Sequence, residues 1–221
     1  MTAKEKYFEE KDEFKNIRKN RIFSSAFELF SLKGIDTIAM TDIAKKAEIG
    51  VASLYRYFET KEEIAIRTAI WIWEKEKKLI SEKLFDENFA NLSGIEQLNS
   101  ILKMFVYLYE NETLFLRFIY FFDSYAVRTQ IEKSHLIDYE KTIISVQSLV
   151  ENSINKGFED NSISKEYKNN SNFLYFTLMQ TLFSTAQKLS LNSNLLSSDS
   201  ITSGKKELEL LIEIIIKSIK K

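Results

Sequence analysis

The chain has 221 residues and a net charge of −1, and it contains five glycines, no proline and no cysteine. The lack of cysteine excludes disulfides and thiolate metal sites, and the near-neutral charge argues against a protein that coats nucleic acid along its whole surface. Because turn residues are scarce and 44% of the residues are hydrophobic, the composition predicts an all-α fold with a sizeable core.

Three helices are predicted after a charged N-terminal extension of residues 1–13. The first covers about 14–32, where apolar residues at helical spacing predict a core-facing stripe made of Phe23, Ala26, Phe27 and Phe30. A second helix over about 40–47 and a third over about 51–58 are separated by a tight turn. Gly50 is expected to supply the backbone conformation that this turn needs.

Periodic apolar segments predict further helices across the rest of the chain, at about 61–83, 95–109, 112–126, 134–156, 172–190 and 204–220. A break is expected at 88–94, and polar loops rich in Ser and Asn are expected at 157–172 and 191–203. No apolar run reaches the roughly 18 residues of a membrane span, and the N-terminus is charged. We therefore expect no signal peptide, no membrane partner and a cytoplasmic location.

Charge is distributed unevenly along the chain. Residues 14–61 carry nine Lys or Arg against five acidic residues, although the whole chain is slightly acidic. A basic module on an acidic body is the layout expected for localised contact with phosphates. An ordinary solvated surface is the alternative interpretation of the same imbalance.

The sequence from Arg21 to Ile64 resembles the N-terminal DNA-binding domain of TetR-family transcriptional regulators. The resemblance rests on Ile22, Ala26, Leu29, Phe30, Gly34, Ile43, Ala44, Ala47, Leu54, Tyr55, Arg56, Tyr57, Phe58, Lys61 and Glu62. It implies a three-helix DNA-binding domain with a helix-turn-helix at 14–60, and a larger helical ligand-binding and dimerisation domain at 61–221. The turn departs from the family pattern, because Glu48 stands where Gly is usual and Gly50 where Ser or Thr is usual.

The family pattern also implies which residues touch DNA. Phosphate contacts are expected at Thr41, Tyr55, Tyr57 and Lys61. Base contacts are expected around the start of the third helix, at Gly50, Val51, Ala52, Ser53 and Arg56. The chemistry agrees, because hydroxyls and ammonium groups donate to phosphate oxygens and an arginine can pair with guanine through two hydrogen bonds. For Arg56, a phosphate contact or simple exposure is an equally good interpretation.

Aromatic and apolar residues beyond the module predict a pocket for a small apolar or aromatic effector. Its expected lining is Trp71, Phe105, Phe118, Phe122, Phe176, Met179 and Phe183. The last helix is apolar nearly all round, which predicts burial against its own fold and against a second copy. The expected interface of that homodimer is Leu182, Leu208, Leu211, Ile212, Ile215 and Ile219.

The predicted function is a ligand-responsive transcriptional regulator, most readily a repressor, released from a palindromic double-stranded DNA operator by a small-molecule effector. No cofactor or metal is expected. The chain has a single histidine, His135, and no carboxylate pair in an apolar setting, so we predict that it is not an enzyme. Two alternatives stay open: a helical enzyme or carrier with an incidental helix-turn-helix, and a constitutive DNA-binding protein without an effector.

Overall fold

A computed structural model describes residues 3–84, 86–191 and 201–221. Within these ranges the chain forms no strand, and its α-helices are α1 (Ala3–Lys33), α2 (Met40–Lys46), α3 (Val51–Tyr57), α4 (Lys61–Leu84), α5 (Glu87–Asn91), α6 (Gly94–Asn111), α7 (Thr113–Thr129), α8 (Ile137–Glu159), α9 (Ser171–Leu191) and α10 (Gly204–Ile219). Short 3₁₀ helices at Lys133–Leu136 and Lys165–Asn170 precede α8 and α9. The predicted all-α fold is confirmed. Over the described ranges, none of the helices is both long and apolar enough to span a bilayer.

Helices occupy parts of the predicted N-terminal extension and of the predicted break at 88–94. The first begins at Ala3 rather than near residue 14, because the charged residues of this segment are mostly good helix formers. A short helix, α5, forms within the predicted break because Asp86 caps it, with the Phe89 amide donating to Asp86 Oδ1 at 2.8 Å.

The two predicted polar loops have different outcomes. The loop expected at 157–172 is shorter in the structure, since α8 runs on to Glu159 and a 3₁₀ helix occupies Lys165–Asn170. The loop expected at 191–203 lies mostly outside the described residues.

The chain divides into two compact units, each with its own core. Unit 1 comprises Met1–Ile72 and Phe121–Tyr139. Its fully buried residues include Ile22, Ala26, Phe30, Ile43, Leu54 and Ile64. Gly34 ends α1 in a left-handed cap with a φ of 78°, and its amide donates to the Phe30 carbonyl at 2.9 Å. These contacts position the short helices α2 and α3 on α1.

Unit 2 comprises Trp73–Tyr120 and Glu140–Lys221, and α10 packs there against α6 and α9. The start of α6 meets the end of α8 backbone to backbone, since a Cβ added to Gly94 would lie 2.0 Å from the Gly157 nitrogen. The Gly94 amide donates to Asp160 Oδ2 at 2.7 Å, which caps α6 from the segment that follows α8. Only glycine fits so close a crossing.

Candidate nucleic-acid interface

Buried apolar side chains hold the second and third helices in place. Ile43 and Ala44 of α2 and Leu54 of α3 are completely buried. Phe58, which caps the end of α3, has its ring centroid 5.5 Å from that of Phe23 in α1. Because Leu54 and Phe58 are four residues apart, they fix one side of α3 against the core and leave the opposite side facing solvent.

The turn between these helices is built differently from the prediction. Glu48, not Gly50, has the left-handed backbone, with a φ of 52°, whereas Gly50 has a φ of −66° and an extended conformation. Gly50 occupies the N-cap of α3 and provides no side-chain hydrogen bond there. The Glu48 carboxylate forms an ion pair with Arg21 of α1, which ties the turn to the first helix.

Most of the residues predicted to contact DNA are exposed on α3 and beside it. Val51 and Tyr55 are 39% and 51% exposed, and the other exposed members of the set are Thr41, Gly50, Ala52 and Arg56. Ser53 and Tyr57 are half-buried. Arg56 Nη2 donates to Ser53 Oγ at 2.8 Å, one turn earlier on the same helix. That bond holds the guanidinium along α3 while leaving its remaining N–H groups able to meet another acceptor.

Lys61, the fourth predicted phosphate contact, is engaged within its own module. Its ammonium nitrogen donates to the carbonyl oxygens of Ile35, Asp36 and Ile38 at 2.8, 3.0 and 2.9 Å. An ammonium has three hydrogens, so these contacts use all of its donors. A phosphate at this position would have to compete with main-chain oxygens, although the positive charge of Lys61 still acts on it.

A basic surface depression beside α2 was not among the predicted sites. It has a volume of about 440 Å³ and is lined by Leu29, Lys33, Thr37, Ile38, Asp42, Lys45 and Lys46. Lys46 is paired with Glu28, at 2.6 Å from Nζ to Oε1. The signal in the sequence was the Lys45-Lys46 pair in the last turn of α2, where an amphipathic helix turns its polar side outward.

An apolar cavity in unit 2 brings together three of the seven residues predicted for the effector pocket, namely Phe105, Met179 and Phe183. Its volume is about 40 Å³, and its other lining residues are Trp73, Ile80, Ile101, Met104, Leu108, Val146, Leu149 and Val150. Trp71 instead packs in unit 1, with its ring centroid 6.4 Å from that of Phe23. Two residues apart on a helix, Trp71 and Trp73 point to nearly opposite sides, so only one of them can line this cavity.

The remaining predicted pocket residues lie elsewhere. Phe118 is fully buried in the core of unit 2, and Phe176 is 48% exposed on α9. Phe122 belongs to unit 1, where its ring centroid is 5.0 Å from that of Tyr139. None of these three lines the apolar cavity.

The predicted dimer interface is largely turned toward the interior of the subunit. Leu182, Leu208, Ile212 and Ile219 are buried within the chain, and only Leu211 and Ile215 are half-buried. This corrects the predicted face, because packing on α6 and α9 takes the stripe that was assigned to a second copy. The exposed apolar side of α10 carries Leu210 and Ile214, which are 57% and 55% exposed.

Metal coordination finds no support in the described part of the chain, where no group of three or more His, Asp or Glu residues is arranged to hold an ion. His135, the single histidine, lies with Nδ1 2.9 Å from Glu62 Oε1 in unit 1. That contact occupies one of its two ring nitrogens.

Sequence comparison finds relatives for the N-terminal part. Residues 22–68 match the family described as "Bacterial regulatory proteins, tetR family". The biofilm operon icaADBC HTH-type negative transcriptional regulator IcaR of Staphylococcus aureus is 31% identical over 99 residues, which are 45% of this chain and 50% of IcaR. The chain thus spans about half the length of the curated relatives it matches first.

Structural comparison extends the likeness of fold to nearly the whole chain. The fatty acid degradation regulator FadR from Bacillus halodurans has a TM-score of 0.66 at 14% identity, covering 90% of this chain and 94% of FadR. FadR from Bacillus subtilis, solved in complex with stearoyl-CoA, has a TM-score of 0.64 at 16% identity, covering 90% of this chain and 98% of FadR. At sequence identities of 14% and 16%, the similarity to these two structures shows a shared fold.

Proposed function

We propose that this chain, whose residues 22–68 match the tetR family of bacterial regulatory proteins, is a ligand-responsive transcriptional repressor. The observation that carries the proposal is the anchored α3, which buries Leu54 and exposes Tyr55 and Arg56. A short helix presented in this way fits the major groove of DNA. The negative regulation in the name of IcaR favours repression over activation.

Phosphate contacts supply most of the proposed affinity. Thr41 and Tyr55 are exposed residues whose hydroxyls would donate to phosphate oxygens on either side of the groove, with Tyr57 adding a third contact. Lys45, in the basic depression beside α2, extends the same positive surface. Lys61 contributes chiefly by charge, since its donors hold main-chain oxygens. Binding should therefore weaken steeply as salt rises.

Sequence readout falls to the first turn of α3 and to Arg56. Gly50 lets the DNA approach closely, and Val51 and Ala52 offer apolar contact to thymine methyl groups. Arg56, steadied by Ser53, pairs with guanine through its remaining N–H groups. Few polar groups face the bases, so the operator should contain few strongly specified positions in each half-site.

A homodimer on a palindromic operator follows from the proposed role. We assign the interface to the exposed sides of α9 and α10, where Phe176, Leu210 and Ile214 are about half exposed. Covering such residues with a second copy removes apolar surface from water. Two-fold symmetry would then present two α3 helices to half-sites about 34–36 Å apart, or a multiple of that distance.

Release from DNA is proposed to follow the binding of a small apolar effector. Residues 14–60 would bind DNA, and residues 61–221 would bind the effector and form the dimer. The apolar cavity of unit 2 is the proposed effector site, and the stearoyl-CoA in Bacillus subtilis FadR supports a ligand with an apolar part in this fold. The effector would favour a form of the dimer whose α3 spacing no longer matches the operator. Such a protein acts in the cytoplasm, where its DNA lies.

Two other functions remain as competitors. A helical enzyme or carrier would need a catalytic or transport site, and the helix-turn-helix would then be incidental. A constitutive DNA-binding protein would use the same α3 surface but respond to no ligand. Selection of a specific DNA sequence by this chain would exclude the enzyme or carrier. A ligand that releases the protein from that DNA, found in a screen against the protein–DNA complex, would exclude the constitutive DNA-binding protein.

The test is selection of DNA from a random pool, followed by gel-shift measurements on the enriched sequence. We expect a palindrome, and we expect Tyr55→Phe to weaken binding about 3- to 10-fold by removing one hydroxyl. Tyr120→Phe is the matched control, because Tyr120 is also exposed, at 44%, but lies in unit 2. Failure to enrich any sequence, or equal affinities of the two variants, would count against the proposal.

A further inference from the structure

A buried acid on α4 has no hydrogen-bond partner for its carboxyl group among the described residues. Glu76 is completely buried, and neither carboxylate oxygen has a hydrogen-bond partner in the described part of the chain. The indole nitrogen of Trp73, one turn earlier, is also buried and unpartnered there. An unpaired buried polar group destabilises the folded chain, and an unpaired buried charge does so more strongly. Two such groups side by side indicate a site that a ligand completes.

One of the two groups belongs to Trp73, which lines the apolar cavity together with Ile80. Glu76 is not among the lining residues, but it lies on the same side of α4, three residues after Trp73 and four before Ile80. Aromatic rings form part of the wall, with centroids 5.8 Å apart for Trp73 and Phe183. A ligand whose apolar body fills this space would therefore have to extend beyond the lining side chains to meet the carboxyl group of Glu76.

The charge state of Glu76 depends on what lies next to it. Burial, together with the charge of Glu112, raises the pKa of Glu76 to about 7, while Lys75 acts in the opposite direction. Near neutral pH the carboxyl group is therefore poised between its two forms. A cation beside it would stabilise the ionised form, whereas an anion would be repelled by it.

We propose that the cavity binds the apolar body of an organic amine whose protonated nitrogen pairs with Glu76. The indole N–H of Trp73 is then free to donate to an oxygen on the same ligand, and its ring adds a cation–π contact. The cavity has room for only a small group, so longer amines enter by displacing Met179, an unbranched and adaptable side chain. Identifying this amine as the effector rests on the proposed function; the site itself does not.

Three probes of equal chain length separate charge from shape: n-butylamine, 1-butanol and butyrate. Binding is followed by calorimetry, and by tryptophan fluorescence in the variant Trp71→Phe, which leaves Trp73 as the sole tryptophan. We expect n-butylamine to bind at least about tenfold more tightly than 1-butanol, and butyrate to bind most weakly. Between about pH 6 and 8 the affinity for n-butylamine should rise as Glu76 ionises, while that for 1-butanol should not.

Two variants of α4 test whether Glu76 is responsible for the preference for n-butylamine. Glu76→Gln keeps the shape and removes the charge, so it should raise the Kd of n-butylamine about tenfold and leave that of 1-butanol unchanged. Glu74→Gln is the matched control, because Glu74 is an exposed residue on the same helix. If Glu76→Gln does not fold, the comparison of the three probes and their pH dependence on the unmodified chain still tests the amine site.

Equal affinity of the three probes, or tighter binding of butyrate, would overturn the inference. An unchanged affinity of Glu76→Gln for n-butylamine would do the same. Operator binding is measured separately on the selected DNA. Operator binding without amine binding refutes only the amine site, whereas amine binding to a chain that selects no DNA refutes only the repressor function.

Discussion

Lys61 Nζ lies 2.8 Å from the carbonyl oxygen of Ile35, and it also donates to the carbonyls of Asp36 and Ile38. These oxygens belong to the segment that joins α1 to α2. A single ammonium therefore ties that segment to the first residue of α4. The contact adds to the buried apolar side chains that position α2, whose start is also capped by Asp42 Oδ2 accepting from the Ala39 amide at 2.8 Å.

Replacing Lys61 by methionine tests this structural role. Lys61→Met keeps the aliphatic stem but leaves three carbonyls without their donor, so we expect the free energy of unfolding to fall by about 1–2 kcal/mol. Chemical denaturation followed by circular dichroism measures the change. Lys45→Met is the control, since Lys45 is exposed; it should leave stability unaltered and reduce the salt slope of DNA binding by about 1. If the two variants were equally stable, the result would contradict a structural role for Lys61.

Arg56 is expected to determine specificity rather than bulk affinity. Arg56→Lys loses the planar pair of donors, so binding to the preferred operator should weaken by about 1–3 kcal/mol while binding to variants at one guanine position changes little. Quantitative selection with both proteins measures the preference at each position. Arg67→Lys, at an exposed arginine near Asp138, is the control. A uniform loss across all sequences would instead assign Arg56 to a phosphate.

The dimer interface is expected on the exposed side of α10. Leu210→Glu combined with Ile214→Glu would place two charges in that interface, and we expect monomers in sedimentation velocity with unchanged helicity. Val127→Glu introduces the same charge at a residue that is 80% exposed, and should leave the dimer intact. Leu208→Glu should unfold the subunit, because Leu208 is fully buried. A dimer that survives the double substitution would place the interface elsewhere.

The folded chain should become less stable as the pH rises, because of Glu76. Its pKa rises from 4.5 to about 7, mainly through burial, so across this interval the folded chain keeps a proton that the unfolded chain has released. That difference destabilises the folded chain as pH increases, with a slope of up to about 1.4 kcal/mol per pH unit. We expect Glu76→Gln to match the unmodified chain near pH 4 and to exceed its stability near pH 8. Denaturation midpoints measure both, and a constant difference between the proteins would contradict the prediction.

The two short helices were predictable from local spacing, and the resemblance to the TetR family identified them as a helix-turn-helix. Leu54 and Phe58 are four residues apart and both are buried, as the pattern requires, so the outward direction of Tyr55 follows. The backbone of the turn was not predictable in the same way. Glycine permits a left-handed conformation but does not require one, and the structure places that conformation at Glu48 instead of Gly50.

The larger unit was predictable only in its class. On an apolar helix such as α10, spacing identifies two stripes but cannot tell which one packs inside the subunit, so Leu208 was assigned to the wrong side. The cavity depends on packing between α4, α6, α8 and α9, which no local pattern encodes. Glu76 gave no signal in the sequence, since an acid on an amphipathic helix is ordinarily exposed.

Glu48 also bears on how this protein could change over generations. A left-handed backbone at a residue with a side chain costs roughly 1–2 kcal/mol, and here the cost is offset in part by the ion pair with Arg21. Glycine would adopt the same turn without that penalty. Replacing Glu48 by glycine would thus stabilise the fold. A lineage that carried this substitution could tolerate otherwise destabilising changes on α3 and so acquire a new operator.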